Sequence, residues 1–273
     1  MMENKISDHG AIDFLCFYLL GVTQADIGGS DKMPDRDLLT KCANRAYLDL
    51  NRTLKFIKIR KEDKDNYREL QRQKSNLRKD ISEIIVDRIT NLLDEKLTNY
   101  DDWHEETCKK VINKAKEYEQ NNWLQKSGEE GFYYGQAQKW VNMTIKYMWV
   151  TERWKDKLDN LMDVLHVPVD SYILQGVWDD KCLKEEDKND IFGKLLTKNG
   201  KARLKKKESF NDQCVASWSK WDKIPYKSFQ EELRNKLNKN PFVWEGETWI
   251  EIAKKRNKKE ECKQNDTCSG SAM

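Results

Sequence analysis

Apolar residues recur along this chain at helical spacing, and the intervals between them outline a series of helices. Ile12, Leu15, Cys16 and Leu19 form a first stripe that Gly21 ends. A loop from Asp26 to Pro34 precedes a second helix, which starts near Asp35 and buries Leu38, Leu39, Cys42, Ala46, Leu50 and Leu54. The segment from about Glu62 to Leu97 is polar in its first half. Its second half carries Ile81, Ile84, Ile85, Ile89, Leu92 and Leu93 at three–four spacing, so the polar half is expected to protrude or to lie against a charged partner.

A break over Thr98 to Asp102 offers Asp101 or Asp102 as the N-cap of a helix running from Trp103 towards Trp123. Ser127 to Gly131 is the next loop. Helical spacing resumes from Tyr133 to Trp154 and again in a shorter amphipathic piece over about Thr151 to Leu165. A turn at His166 to Asp170 leads into a short helix from Ser171 to Trp178. The polar and basic region from Asp179 to Phe210 is expected to be surface helix or loop. Phe229, Leu233 and Leu237 mark one late helix, and Trp249, Ile252 and Ala253 another, with a frayed tail from Lys254.

Period-two alternation is missing almost everywhere, and only 12 Gly and 4 Pro punctuate 273 residues. The expected fold class is therefore all-α, an irregular multi-helix globular protein. Residues 1–253 read as a single helical domain and 254–273 as a basic and polar tail. The loop at Ser127 to Gly131 leaves open a division near 127–131 into two helical lobes with a cleft between them.

Composition narrows the functional classes. No stretch approaches twenty consecutive apolar residues, so no membrane partner is expected. Seven cysteines, odd in number and without paired spacing, read as the reduced thiols of a cytoplasmic protein. Three widely separated histidines argue against a His-based metal site. The chain also lacks a Gly-rich phosphate loop, a Gly-x-Ser-x-Gly elbow and a His-Glu-x-x-His helix, so no cofactor is expected. The net charge is only +3, but basic residues concentrate in three blocks: Arg52 to Lys79, Lys194 to Lys207 and Lys254 to Lys259. Such blocks suit a phosphate backbone, with Arg68, Arg72, Lys74 and Arg78 as contacts to DNA. They equally suit surfaces that keep a helical protein dissolved.

One stretch carries candidate chemistry. Gly135-Gln136-Ala137-Gln138-Lys139 opens a helix in which Lys139, Asn142 and Lys146 share a polar stripe, while Ala137, Trp140, Val141, Thr144, Ile145 and Met148 face inward. Downstream, Val167-Pro168-Val169-Asp170 places Asp170 where an N-cap belongs. Over Tyr133 to Leu174 the chain resembles the helix-hairpin-helix DNA glycosylases, particularly the members that act on 8-oxoguanine. It differs from them in having Tyr133-Tyr134 for Leu-Pro, Ala137 for the second glycine, and an extra segment between Lys139 and Asp170.

The resemblance implies a base-excision enzyme, a DNA glycosylase or abasic-site lyase. Lys139 would be the amine nucleophile, and Asp170 the carboxylate that stabilises positive charge on the sugar. Tyr134, Gly135, Gln136, Asn142 and Lys146 would contact nucleic acid. Each residue also has a plainer role, Lys139 as a solvated surface lysine and Asp170 as a helix cap. The alternative for the whole chain is a non-catalytic helical binding or scaffold protein that grips nucleic acid through its basic helices.

Overall fold

The computed structural model describes residues 8–94, 99–125, 131–193 and 217–269. Among these residues it is all-α: eleven α-helices, two short 3-10 turns and no strands beyond a single bridge between Phe56 and Leu124. The chain divides after Val164 into two compact units. The division does not fall at 127–131, because the helices on either side of that loop pack on each other within the first unit.

The first unit contains α1 (Asp8–Leu20), α2 (Gln24–Gly28), α3 (Asp35–Leu50), α4 (Lys64–Asp94), α5 (Tyr100–Gln120), α6 (Tyr134–Val150) and α7 (Lys155–Asp159). Four of these close a ring, with α3 on α4, α4 on α5, α5 on α6 and α6 back on α3. The apolar stripes supply its core: Leu38, Cys42 and Leu50 from α3, Leu77, Ile81, Ile85 and Ile89 from α4, Val111 and Ala115 from α5, and Trp140 and Ile145 from α6. Small residues let α3 and α6 approach closely. Ala43 presents its carbonyl to the Trp140 indole nitrogen at 2.9 Å, and Tyr47 packs its ring 5.1 Å from that of Trp140.

Several boundaries differ from the sequence expectation for local reasons. The α5 cap is Asn99, whose side chain accepts from the backbone N–H groups of Asp101 and Asp102, so the helix starts a turn early. The stretch from Asp26 to Pro34 is not wholly loop, because α2, capped by Thr23 and Asp26, runs on to Gly28. Helix α6 ends at Val150, and Glu152 follows with φ of 57°, so the continuous helix expected over Thr151 to Leu165 is reduced to α7 and turns. Among the described side chains of α1 only Cys16 and Leu20 are buried; Leu15, expected inside, is exposed together with Phe14, Phe17 and Tyr18.

The second unit contains α8 (Ser171–Asp179), α9 (Glu185–Gly193), α10 (Lys223–Lys236) and α11 (Pro241–Ser269). Helix α8 packs on α11, and α9 on α10. Ile173, Val177, Phe192, Tyr226, Phe229, Leu233 and Ile252 are fully buried or nearly so. The backbone of α11 stays helical through Ser269, where a frayed tail was expected from Lys254. Gly176 allows the α8–α11 contact, since a Cβ there would overlap the Thr248 side chain. The basic block 194–207 lies outside the described residues.

Candidate functional site

Helix α6 is unusual in its surroundings. From Tyr134 to Ile145 every residue is buried, on all sides of the helix. An element buried all round cannot leave its polar side chains to water, so those side chains require protein partners. The polar residues that the sequence placed on a DNA-facing stripe are therefore interior groups.

Their bonds are specific. Gln136 accepts from the Tyr133 backbone N–H at 3.0 Å and donates to the carbonyl and hydroxyl of Thr53 at 3.0 and 3.2 Å. It thereby starts α6 and ties it to the 3-10 turn Asn51–Thr53 that follows α3, and its amide is committed to that task. Gln138 donates to the Gly135 carbonyl at 2.9 Å, and Asn142 donates to Gln138 Oε1 at 3.0 Å. Because the Asn142 amide nitrogen donates there, its Oδ1 faces His104 Nε2, 2.9 Å away, as an acceptor. His104 therefore carries its proton on Nε2, and its Nδ1 accepts from the Tyr134 hydroxyl at 3.3 Å. His104, Gln138 and Asn142 are at most 1 % exposed, so this is a sealed polar chain running from α6 to α5.

Cys108 stands one turn beyond His104 with its sulfur 3.8 Å from both ring nitrogens. Cys, His and Asn together invite a nucleophilic thiol, but the details oppose it. A sulfur equidistant from both ring nitrogens is not aligned with either, and burial pushes the Cys108 thiol far above its ordinary range. Burial raises Cys42 in the same way. Both are structural cysteines.

Lys139 lies one residue beyond Gln138 on the same helix and is only 4 % exposed. It is not the solvated surface lysine that an amphipathic helix ordinarily carries. Lys146, two turns on, is half-buried, Gly135 is buried in the first turn, and Tyr134 is buried with its hydroxyl on His104. The polypeptide reaches α6 through Gly131, whose φ of 79° favours glycine, and a Cβ there would overlap the buried Glu119 carboxylate. Helices α5 and α6 are thus joined by a thirteen-residue connection, 121–133, in place of a tight hairpin.

In the second unit, Asp170 caps α8 as its position after Pro168 suggested. One carboxylate oxygen accepts from the backbone N–H groups of Tyr172 and Ile173 at 2.9 and 3.0 Å. The turn before it is buried, and Gln230 pins it by pairing its side-chain amide with both the N–H and the carbonyl of Val167. His166 is also interior. Arg234 can only donate, so His166 Nε2 accepts from it at 3.0 Å and Nδ1–H faces the Tyr226 hydroxyl at 2.9 Å.

The basic face of α4 is not one patch. Arg68 and Arg72 project from one side, while Lys74 and Arg78 lie roughly 120° away around the helix. Arg72 holds Glu69 through two contacts of 2.8 Å, Arg68 faces Asp65 at 3.9 Å, and Lys74 sits over the Phe56 ring. Much of this charge is answered within the helix itself. Among the described residues no three His, Cys, Asp or Glu side chains gather as a metal site, and no helix is long and apolar enough to cross a membrane.

Sequence reading allowed Asn142 a bond across a helix pair and His166 an interior place, but it missed their partners, His104 for the one and Arg234 and Tyr226 for the other, and the buried carboxylates Glu119 and Glu245. The one available signal was the four-residue spacing of His104 and Cys108 on an otherwise apolar helix face. No protein family, no curated protein and no solved structure matches this chain.

Proposed function

We propose that the protein is a DNA base-excision enzyme, a glycosylase with abasic-site lyase activity, in which Lys139 supplies the amine and Asp170 the carboxylate. What carries this reading is the sequence resemblance over Tyr133 to Leu174; Lys139 is 4 % exposed on an enclosed helix, so its amine meets DNA only when the packing around α6 opens. Lysine is rarely buried unless its ammonium is paired, because the ammonium loses water and the long side chain loses rotamer freedom, so Lys139 is held at a fixed place in α6. The sequence around it, Gly135 to Lys139, is the stretch that resembles the glycosylases, and Asp170 caps its helix as their catalytic aspartate does.

The chemistry follows from these groups. The neutral amine of Lys139 attacks the sugar C1′ as the bond to the base breaks, and the base departs with the bonding electrons and takes up a proton. The nitrogen loses a proton, the C1′–O4′ bond opens, and a Schiff base remains. Loss of a proton from C2′ then expels the 3′ phosphate. Asp170 belongs to the second unit, where two backbone N–H groups at a helix N-terminus hold its carboxylate, and its role in stabilising positive charge on the sugar is what the resemblance implies.

Borohydride trapping tests the reading directly. Wild-type protein mixed with a duplex carrying an abasic site should form a covalent adduct when the imine is reduced, and folded Lys139→Gln should form none. A folded wild type that gives no adduct, or a Lys139→Gln variant that traps as well as wild type, removes the proposal.

A further inference from the structure

Three side chains of the second unit form a ladder. The Arg256 guanidinium lies over the Tyr172 ring, 4.1 Å from its centroid, and Tyr172 stacks on Trp249 with centroids 5.0 Å apart and planes 20° from parallel. Arg256 is locked in place by the Gln175 side chain at 2.9 Å, the Ser171 hydroxyl at 3.3 Å and the Ser171 carbonyl at 3.1 Å. All three acceptors are neutral, so none of them cancels the guanidinium charge. At the other end of the ladder Trp249 is 39 % exposed although Tyr172 covers one of its faces. Of the four late tryptophans, Trp218, Trp221 and Trp244 are buried, and Trp249 alone shows this exposure.

We infer that this ladder is a stacking platform for an unpaired nucleobase of a single-stranded or locally opened nucleic acid, with Arg256 drawing the adjoining phosphate. An exposed indole held rigid by a ring behind it presents a flat π surface at little entropic cost, and every base has a π face to match. A positive charge within the same stack complements a polyanionic strand and little else of that shape. The platform also adjoins Asp170 within the second unit, since the Tyr172 backbone N–H is one of the two that hold its carboxylate. The inference rests on the reading that the protein takes up nucleic acid, but it makes a separate claim about which surface does so.

Fluorescence anisotropy with a short labelled oligothymidine at low salt tests it. Wild type should bind, and Trp249→Ala should weaken binding roughly tenfold, the scale of losing one base–aromatic stack. Trp249→Phe should restore most of the affinity, and Ile250→Ala, an exposed neighbour outside the ladder, should leave it unchanged. Unchanged melting curves confirm that the variants are folded. The platform is overturned if wild type does not bind the single strand, or if Trp249→Ala binds it as tightly as wild type. Trapping on abasic duplex reads the Lys139 chemistry independently. Lost trapping with Trp249-dependent oligothymidine binding removes the enzyme reading and keeps the platform, and the reverse pattern removes the platform alone.

Discussion

His104 Nε2 donates to Asn142 Oδ1 across 2.9 Å, and the two residues, on α5 and α6, are both sealed from water. The bond orients the histidine ring, and through Gln138 it continues along α6 to the residue before Lys139. The chain of donors runs in one direction, from the Tyr134 hydroxyl through His104 and Asn142 to Gln138 and the Gly135 carbonyl, each intermediate side chain accepting at one atom and donating from another.

Breaking either member of the pair should orphan a buried group on the other. His104→Leu and Asn142→Leu should each destabilise the protein by roughly 1–3 kcal/mol in urea denaturation. The double variant should lose less than the sum, because removing both partners leaves fewer orphans than two separate deletions. Additive losses would show that the two side chains do not act together.

The entry to α6 makes a second prediction. Gly131→Ala should destabilise the fold by more than about 1 kcal/mol, because an L side chain is strained at its positive φ and the new methyl would meet Glu119. Gly28→Ala, in open space at the end of α2, should be neutral or stabilise by up to about 1 kcal/mol. Thermal melting of the two variants compares them directly; equal shifts would refute the contrast.

Asp26 should contribute an acid-sensitive increment. Its carboxylate accepts from the Thr23 backbone N–H at 2.7 Å and the Thr23 hydroxyl at 2.9 Å, and these bonds hold its carboxyl below the usual aspartate range. A folded-state pKa below the unfolded value means that the stabilisation is present above the unfolded pKa of about 3.9 and is lost as pH falls through the lower folded value. The melting temperature of Asp26→Ala should therefore lie below that of wild type near neutrality, and the gap should narrow in strong acid. A gap that widens on acidification would reverse the sign of the argument.

Asp170 separates capping from charge. Asn is as good an N-cap as Asp, so Asp170→Asn should keep the bonds to Tyr172 and Ile173 and melt close to wild type. It carries no negative charge, and base release from a damaged duplex should slow at least a hundredfold, the scale of losing one electrostatic contact at a transition state, about 10² to 10³. Unchanged release in single-turnover assays would leave Asp170 as a helix cap alone.

The sequence by itself determined what depends on neighbours within a few turns. The three–four spacing from Leu38 to Leu50 and from Ile81 to Leu92 places one face of each helix inside, and that face is buried in the structure. Asp170 was visible as a cap for the same reason, since a cap is a bond to the next three residues. Lys139 was not. A helical wheel assigns it to a polar stripe, and whether a polar stripe meets water or protein depends on elements distant in the chain. Gln136 is committed to Thr53, 83 residues earlier, and Asn142 to His104, 38 residues earlier, and no local pattern encodes either partner. Tertiary packing decided that α6 is enclosed on every side, and enclosure turned a stripe that periodicity assigns to the surface into the polar interior of the first unit.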